Sequence, residues 1–179
     1  VSDIANAGSH MFDLLRFYFG DIDWVQAIYS RNESHNTDDP NIDGMVKFKS
    51  GLFGSIQTCD VNKFYIFEMD CLGTKGRLNI TRDGFDLDFY EVRKSQLFSE
   101  DMDLFHTASP ISSDTSREFM VEAVRHLVEC LTEGKKSLSS GEDGRAALEL
   151  ICAFQESAQA DGKRITLPLK DSDIGIKSR

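Results

Sequence analysis

Short segments of alternating apolar and polar residues, separated by tight turns, occupy the middle of this 179-residue chain. The alternating runs cover residues 44–49, 52–59, 64–72, 77–80 and 85–92. The turns between them are Ser50-Gly51, Gly73-Thr74-Lys75-Gly76 and Asp83-Gly84. Such runs predict strands, and a tight turn can join only antiparallel neighbours. The middle of the chain is therefore expected to be an antiparallel meander rather than a parallel, nucleotide-binding sheet.

Amphipathic segments nearer the two ends of the chain predict helices. They cover residues 9–19, 119–131 and 147–158, with Gly20, Gly134 and Gly162 after their ends. The last two follow capping-box patterns at residues 115–118 and 139–142. Further strands are predicted at residues 24–31, 104–107 and 164–167. This layout predicts an α+β fold, in which helices pack on one face of an open, predominantly antiparallel β-sheet.

Charge, hydropathy and the spacing of cysteines and histidines argue against several kinds of partner and site. Thirty acidic against 20 basic residues give a net charge of −10, which disfavours nucleic acid and anionic membranes. No apolar run of membrane length is present. The four cysteines show no C-x-x-C spacing, which is typical of reduced thiols in a cytoplasmic protein. The histidines at positions 35, 106 and 126 have no metal-ligand spacing, so we predict no metal site.

One histidine stands at the head of the first predicted helix. Asn6 precedes His10 by four residues and Asp13 follows it by three, so a helical backbone places all three side chains on one face. An imidazole there can exchange protons near neutral pH. The residues alone leave two readings open, namely an acid/base group or a histidine that caps or pairs for structural reasons.

The chain resembles the Gfo/Idh/MocA oxidoreductases in three places. Asn6, Gly8, His10 and Asp13 occupy the positions of the D-x-G-x-H-x-x-D motif that opens the substrate-domain helix of that family. The run Leu72-Gly73-Thr74-Lys75-Gly76-Arg77-Leu78 is similar to its mid-sheet turn. Residues 157–168 are similar to its closing helix and strand.

The resemblance implies a division of labour between domains. Residues 1–169 are expected to be the C-terminal substrate domain, and residues 170–179 a frayed tail. In the family, NAD or NADP is bound mainly by an N-terminal Rossmann domain with a G-x-G-x-x-G loop and an E-K-P lysine. Neither motif occurs in this sequence, so the chain by itself is expected to be inactive.

The resemblance also implies roles for individual residues. His10 is expected to handle the proton of a substrate hydroxyl during hydride transfer, and Asp13 and Arg16 are expected to bind substrate. Asp13 and Arg16 could instead pair within the helix. Asn6 stands where the family has an acid; an amide cannot take up a proton, although it can hold a hydroxyl by hydrogen bonds. Either His10 works without that acid, or the site has kept ligand binding alone.

For the whole protein, the resemblance implies a dehydrogenase acting on a sugar, a sugar nucleotide or a cyclic polyol, with a slight preference for surface-polysaccharide synthesis. A homo-oligomer through the open face of the sheet is expected, unless that face is polar and solvated. Two alternatives remain: an NAD-dependent glycosidase of the same family, and a sugar-binding or assembly module that has lost catalysis.

Overall fold

The computed structural model describes residues 4–30, 40–98, 100–108 and 118–170. The helices are α1 (Ala7–Phe19), α2 (Phe119–Glu133) and α3 (Gly141–Gln159), with a short 3-10 turn at Arg82–Gly84. The strands are β1 (Ile22–Tyr29), β2 (Ile42–Phe48), β3 (Phe53–Ile56), β4 (Met69–Gly73), β5 (Gly76–Thr81), β6 (Asp86–Lys94), β7 (Met102–Thr107) and β8 (Ile165–Thr166).

The chain divides into two compact units, of which the first comprises Val1–Ile66 with Ser137–Arg179 and the second Phe67–Lys136. Each unit contains one four-stranded antiparallel sheet, in the order β3-β2-β1-β8 in the first and β4-β5-β6-β7 in the second. The α+β class and the antiparallel meander are therefore confirmed, with the strands shared between two open sheets instead of one.

The core of the first unit lies between its sheet and its two helices. Helix α3 packs on β1 and β2, and α1 packs on α3. Phe12 of α1 and Phe154 of α3 are both fully buried, with ring centroids 4.9 Å apart in an edge-to-face arrangement. Phe19 at the end of α1 meets Phe48 of β2 at 5.8 Å. Both helices thus lie on one face of this sheet, as the sequence predicts.

Hairpins build the second unit. Thr74 and Lys75 form the turn between β4 and β5, with Gly73 and Gly76 paired at its base. Arg77 of β5 reaches across to β4 and donates two hydrogen bonds of 2.8 Å to Asp70. Helix α2 ends at Gly134, which adopts the left-handed conformation expected of a helix-terminating glycine.

Several predicted boundaries change in the structure. The strand predicted for residues 64–72 begins only at Met69. Residues 64–68 follow a turn in which the Asp60 carboxylate accepts a 3.0 Å hydrogen bond from the Asn62 N–H, and they belong to neither sheet. The capping box predicted for residues 139–142 lies one residue later, at Ser140 and Asp143. Residues 115–117 of the earlier box lie outside the described residues. Among the described helices, none is long and apolar enough to cross a membrane.

Candidate functional site

The motif around His10 does form the start of a helix. The backbone N–H and the hydroxyl of Ser9 donate hydrogen bonds of 3.1 and 2.6 Å to the Asn6 carbonyl oxygen, which closes the first turn. The buried residues of this helix are Ala7, Gly8, Met11 and Phe12. Asn6 and His10 are exposed and Asp13 is half-buried, so the three polar side chains lie on the accessible side of α1.

The His10 ring is open to a ligand. Among the residues that the structure describes, none forms a hydrogen bond or an ion pair with it. A neutral imidazole has one nitrogen that accepts and one that donates, so an accessible ring can take a proton from a hydroxyl or return one. The geometry therefore suits acid/base chemistry on the surface of α1.

Asp13 contacts a distant part of the chain. Its Oδ2 accepts a 3.1 Å hydrogen bond from the Ser139 hydroxyl, in the segment that precedes α3. The possible helix-internal pair with Arg16 is not formed, because the Arg16 guanidinium binds other carboxylates. One oxygen of Asp13 is thus engaged by the fold.

Arg16 belongs to a network of ion pairs. Its guanidinium lies 3.1 Å from Asp21 and 3.3 Å from Asp143, and its side chain is only 18% exposed. The hydrogen bond from Arg16 is the main cause that lowers the pKa of the Asp21 carboxyl. The pKa of the Asp143 carboxyl is lowered chiefly by hydrogen bonds from the backbone and hydroxyl of Ser140, with a smaller effect of Arg16. A substrate that uses Arg16 must compete with both carboxylates.

A cleft of about 260 Å³ opens in the first unit, beside the end of α1 and the start of α3. Its charged lining residues are Arg16, Asp21, Lys49, Glu142, Arg145 and Glu149, and Leu167 and Pro168 form another part of its wall. Arg16 and Lys49 both pair with Asp21, and Arg145 pairs with Glu149. His10, at the opposite end of α1, does not line this cleft.

Metal ligands do not cluster in the part of the chain that the structure describes, where no group of three His, Cys, Asp or Glu could hold an ion. His106 lies 3.0 Å from Asp88, and His126 lies 3.5 Å from the Cys130 sulfur. His35 is outside the described residues. The absence of a metal site remains a prediction.

Sequence reasoning found the residues on α1 but missed their partners, Ser139 just before α3 and Asp143 in its first turn. Ser139 and Asp143 lie more than 120 residues away from Asp13 and Arg16 in the sequence. Their only sequence signal was the capping box, which predicts the start of a helix and says nothing about what packs against it. The contact depends on how α1 and α3 pack together.

Comparisons with known proteins agree with this architecture. Three solved structures share the fold: the WlbA dehydrogenase from Bordetella pertussis in complex with NADH and UDP-GlcNAcA (22% identity, TM-score 0.64, covering 93% of this chain and 45% of that one); an NAD binding oxidoreductase from Klebsiella pneumoniae (17%, 0.72, 94% and 51%); and an aldose-aldose oxidoreductase from Caulobacter crescentus complexed with glycerol (19%, 0.62, 89% and 46%). The chain spans about half the length of these structures.

The comparison with curated proteins found no match. A family model described as the C-terminal alpha/beta domain of an oxidoreductase family matches residues 4–167, which is most of the chain. The chain therefore belongs to the Gfo/Idh/MocA oxidoreductase family, within the C-terminal α/β domain of that family.

Proposed function

We propose that this chain is the substrate-binding and oligomerisation domain of an NAD(P)-dependent oxidoreductase acting on a sugar, a sugar nucleotide or a cyclic polyol. The observation that carries the proposal is the accessible His10 ring at the head of α1, with Asn6 and Asp13 on the same side of the helix. Family membership supports the reaction class, since the matching model is that of an oxidoreductase domain.

His10 is proposed as the acid/base of the reaction. Oxidation of an alcohol at carbon removes a hydride and also the hydroxyl proton, so a base must lie within hydrogen-bond reach of that hydroxyl. The neutral His10 ring accepts the proton at one nitrogen and returns it in the reverse direction. The nicotinamide, bound mainly by an N-terminal Rossmann domain, supplies the hydride acceptor.

Asn6 is proposed to hold the same hydroxyl group by hydrogen bonds. Its amide supplies a donor and an acceptor but no charge, so His10 works without a neighbouring acid at this position. Asp13 and Arg16 are proposed to bind other parts of the substrate. Of the two, Asp13 is the better placed, because the Arg16 guanidinium is already paired with two carboxylates.

The substrate class draws support from the solved relatives. The Bordetella pertussis enzyme was solved with NADH and UDP-GlcNAcA, and the Caulobacter crescentus enzyme with glycerol. UDP-GlcNAcA is a sugar nucleotide, and glycerol is a polyol. A hydroxyl-rich substrate also suits a site whose polar groups are an imidazole, an amide and a carboxylate. Surface-polysaccharide synthesis, which uses nucleotide-linked sugars, remains one setting for such an enzyme.

The oligomerisation role is assigned to the open face of the first sheet. On the side away from α3, Phe53 is 52% exposed and Met45 is 38% exposed. Trp24 lies beside Phe53, with ring centroids 6.3 Å apart, and the Arg164 guanidinium lies over the Trp24 ring, 4.7 Å from its centroid. Neighbouring apolar and aromatic side chains of this kind mark association surfaces.

Substitution of the face tests the oligomer. Phe53→Glu places a charge on that surface and is expected to convert an oligomer to monomers in analytical ultracentrifugation, whereas Leu72→Glu, on the exposed part of β4, leaves the mass unchanged. A wild-type chain that is already monomeric contradicts this part of the proposal.

A panel assay tests the enzymatic proposal. The full-length protein is mixed with NAD or NADP and with UDP-GlcNAc, glucose or myo-inositol, and the cofactor's absorbance at 340 nm is followed. We expect turnover with at least one compound, none with this chain alone, and a loss of about 100-fold or more in His10→Ala. Unchanged turnover in that variant contradicts the mechanism.

Asn6 favours one further candidate, because it replaces an acid: a sugar-binding or assembly module that has lost redox activity. Sugar binding without cofactor reduction by the full-length protein would support that candidate. Release of the aryl group from aryl glycosides would instead support an NAD-dependent glycosidase.

A further inference from the structure

We infer that Ser139 is a positioning residue for the site on α1, an inference that rests on the proposed function. Its hydroxyl donates a 3.1 Å hydrogen bond to Oδ2 of Asp13. An aspartate on the accessible side of a helix otherwise samples several rotamers. The bond from Ser139 selects one of them and leaves the other oxygen, Oδ1, without a hydrogen-bond partner among the described residues.

Hydrogen bonds of the neighbouring residues hold the Ser139 backbone in place. The Ser137 hydroxyl donates a 2.6 Å hydrogen bond to the Ser139 carbonyl oxygen. The next residue, Ser140, is the N-cap of α3, and its backbone N–H donates a 3.0 Å hydrogen bond to Asp143. A donor held in this way orients Asp13 before a substrate arrives, so that less freedom is lost on binding.

A second contact fixes α1 against the same part of α3. Arg16, three residues after Asp13, donates a 3.3 Å hydrogen bond to Asp143 of the capping box. Residues three apart lie on the same side of a helix. The two contacts therefore fix the rotation of α1 about its axis and its position along that axis relative to α3. They also fix the position of His10, one turn before Asp13.

The orientation of Asp13 also restricts the substrate class. Among the described residues, Ser139 is the one donor to this carboxylate. A carboxylate oxygen accepts hydrogen bonds and repels anions. The group bound by Oδ1 must therefore be a hydrogen-bond donor, which in the proposed function is a hydroxyl of the sugar or polyol, and a phosphate or carboxylate of the substrate must lie elsewhere.

The test uses the full-length protein and whichever of UDP-GlcNAc, glucose or myo-inositol it turns over. Ser139→Ala is expected to raise KM about three- to tenfold, with kcat changed less than about twofold, since the Asp13 side chain is then free before binding and loses that freedom when the substrate binds. Ser139→Thr keeps the hydroxyl and is expected to restore KM. Ser50→Ala, an exposed serine in the turn between β2 and β3, is the matched control and leaves KM unchanged.

A double-mutant cycle separates positioning from a general structural effect. In an Asp13→Ala background, Ser139→Ala is expected to cause no further rise in KM, because its target is gone. Additive effects of the two substitutions, or a wild-type KM in Ser139→Ala when Asp13→Ala is impaired, overturn this inference alone. Turnover of none of the three compounds, or turnover indifferent to both His10→Ala and Asp13→Ala, overturns the proposed function as well.

Discussion

The polar side chains of α1 differ in how far the fold engages them. Asn6 and His10 are exposed at its start, whereas Asp13 and Arg16 each bind the beginning of α3 through a side chain. Proton transfer needs an accessible ring, and substrate orientation needs a fixed carboxylate. In the proposed function α1 supplies both, because its successive polar positions turn from solvent towards the start of α3.

A buried serine, Ser157, links α3 to the sheet. The Ser157 hydroxyl accepts a 2.7 Å hydrogen bond from the Ala27 N–H and donates a 2.6 Å hydrogen bond to the Lys163 carbonyl oxygen. Ser157→Ala leaves both backbone groups without this partner, and is expected to lower the free energy of unfolding by about 1–3 kcal/mol. Chemical denaturation measures the change, with Ser50→Ala, in the exposed turn between β2 and β3, expected within about 0.5 kcal/mol of wild type. Equal stability of the two variants would contradict this role.

At the level of residues, the sequence predicted only those relations that hold between residues close together in the chain. Local spacing placed His10 at a helix start, because a helical face is decided by residues three and four apart. The partner of Asp13 depends on the packing of two helices that are far apart in sequence, which no local pattern records. Nor does sequence spacing show that the Arg16 guanidinium forms ion pairs with Asp21 and Asp143.

Among the elements, α3 both packs in the core of the first unit and binds α1 through its first turn. Its capping box, Ser140 with Asp143, also receives Arg16 of α1. Because the pKa of Asp143 is lowered in the folded protein, the unfolded chain binds more protons once the pH falls below about 4. The stabilisation is therefore complete above that pH and is lost as the pH falls through the pKa of the folded state.

Asp143→Asn tests this linkage. The variant is expected to have a lower Tm than wild type at pH 7, and the difference should shrink as the pH falls below about 4. Thermal melts between pH 2 and pH 7 provide the measurement. Asp161→Asn is the control, since the Asp161 carboxyl accepts no hydrogen bond from the described residues. A Tm difference that does not change with pH would contradict the assignment.

Two glycines in different elements are expected to respond in opposite ways to alanine. A Cβ on Gly44 of β2 would lie 2.6 Å from Phe154 and 2.8 Å from Ala27, whereas one on Gly144 of α3 meets nothing within 4 Å. Gly44→Ala should destabilise by about 1–3 kcal/mol through overpacking. Gly144→Ala should stabilise by about 0.5–1 kcal/mol through helix propensity. Denaturation of the pair measures both; a neutral Gly44→Ala would show that the sheet and α3 approach less closely.

The elements themselves were largely predictable from the sequence. Turn signals and alternation found the strands, since both are local properties. The predicted start of β4 was wrong, since residues 64–68 alternate as a strand would but belong to neither sheet. Alternation also could not tell one sheet from two, because pairing partners depend on contacts beyond the hairpins.

On the scale of the whole molecule, the buried apolar residues are unevenly shared. Among the described residues, every buried hydrophobic side chain belongs to the first unit, from Ile4 to Ile56 and from Ala147 to Ile165. The sheet of the second unit rests on hairpin pairing and half-buried side chains. Local opening is therefore expected to require less free energy in the second unit.

Hydrogen exchange of the chain measures this difference. Amides of β5 and β6 are expected to exchange faster than those of β1 and β2, because fewer buried contacts oppose their opening. The measured rate of each amide is divided by its intrinsic exchange rate, and the resulting protection is compared between the two pairs of strands. Equal protection in the two sheets would contradict the unequal division of the core.

The central claim is that the exposed imidazole of His10 transfers the substrate proton. A single-turnover measurement on the full-length protein tests it most directly, with the reduction of NAD or NADP followed at 340 nm after mixing with a substrate found in the panel. The rate of the chemical step is expected to fall about 100-fold or more in His10→Ala, while substrate and cofactor still bind. A chemical step that proceeds at the wild-type rate in that variant would contradict the account.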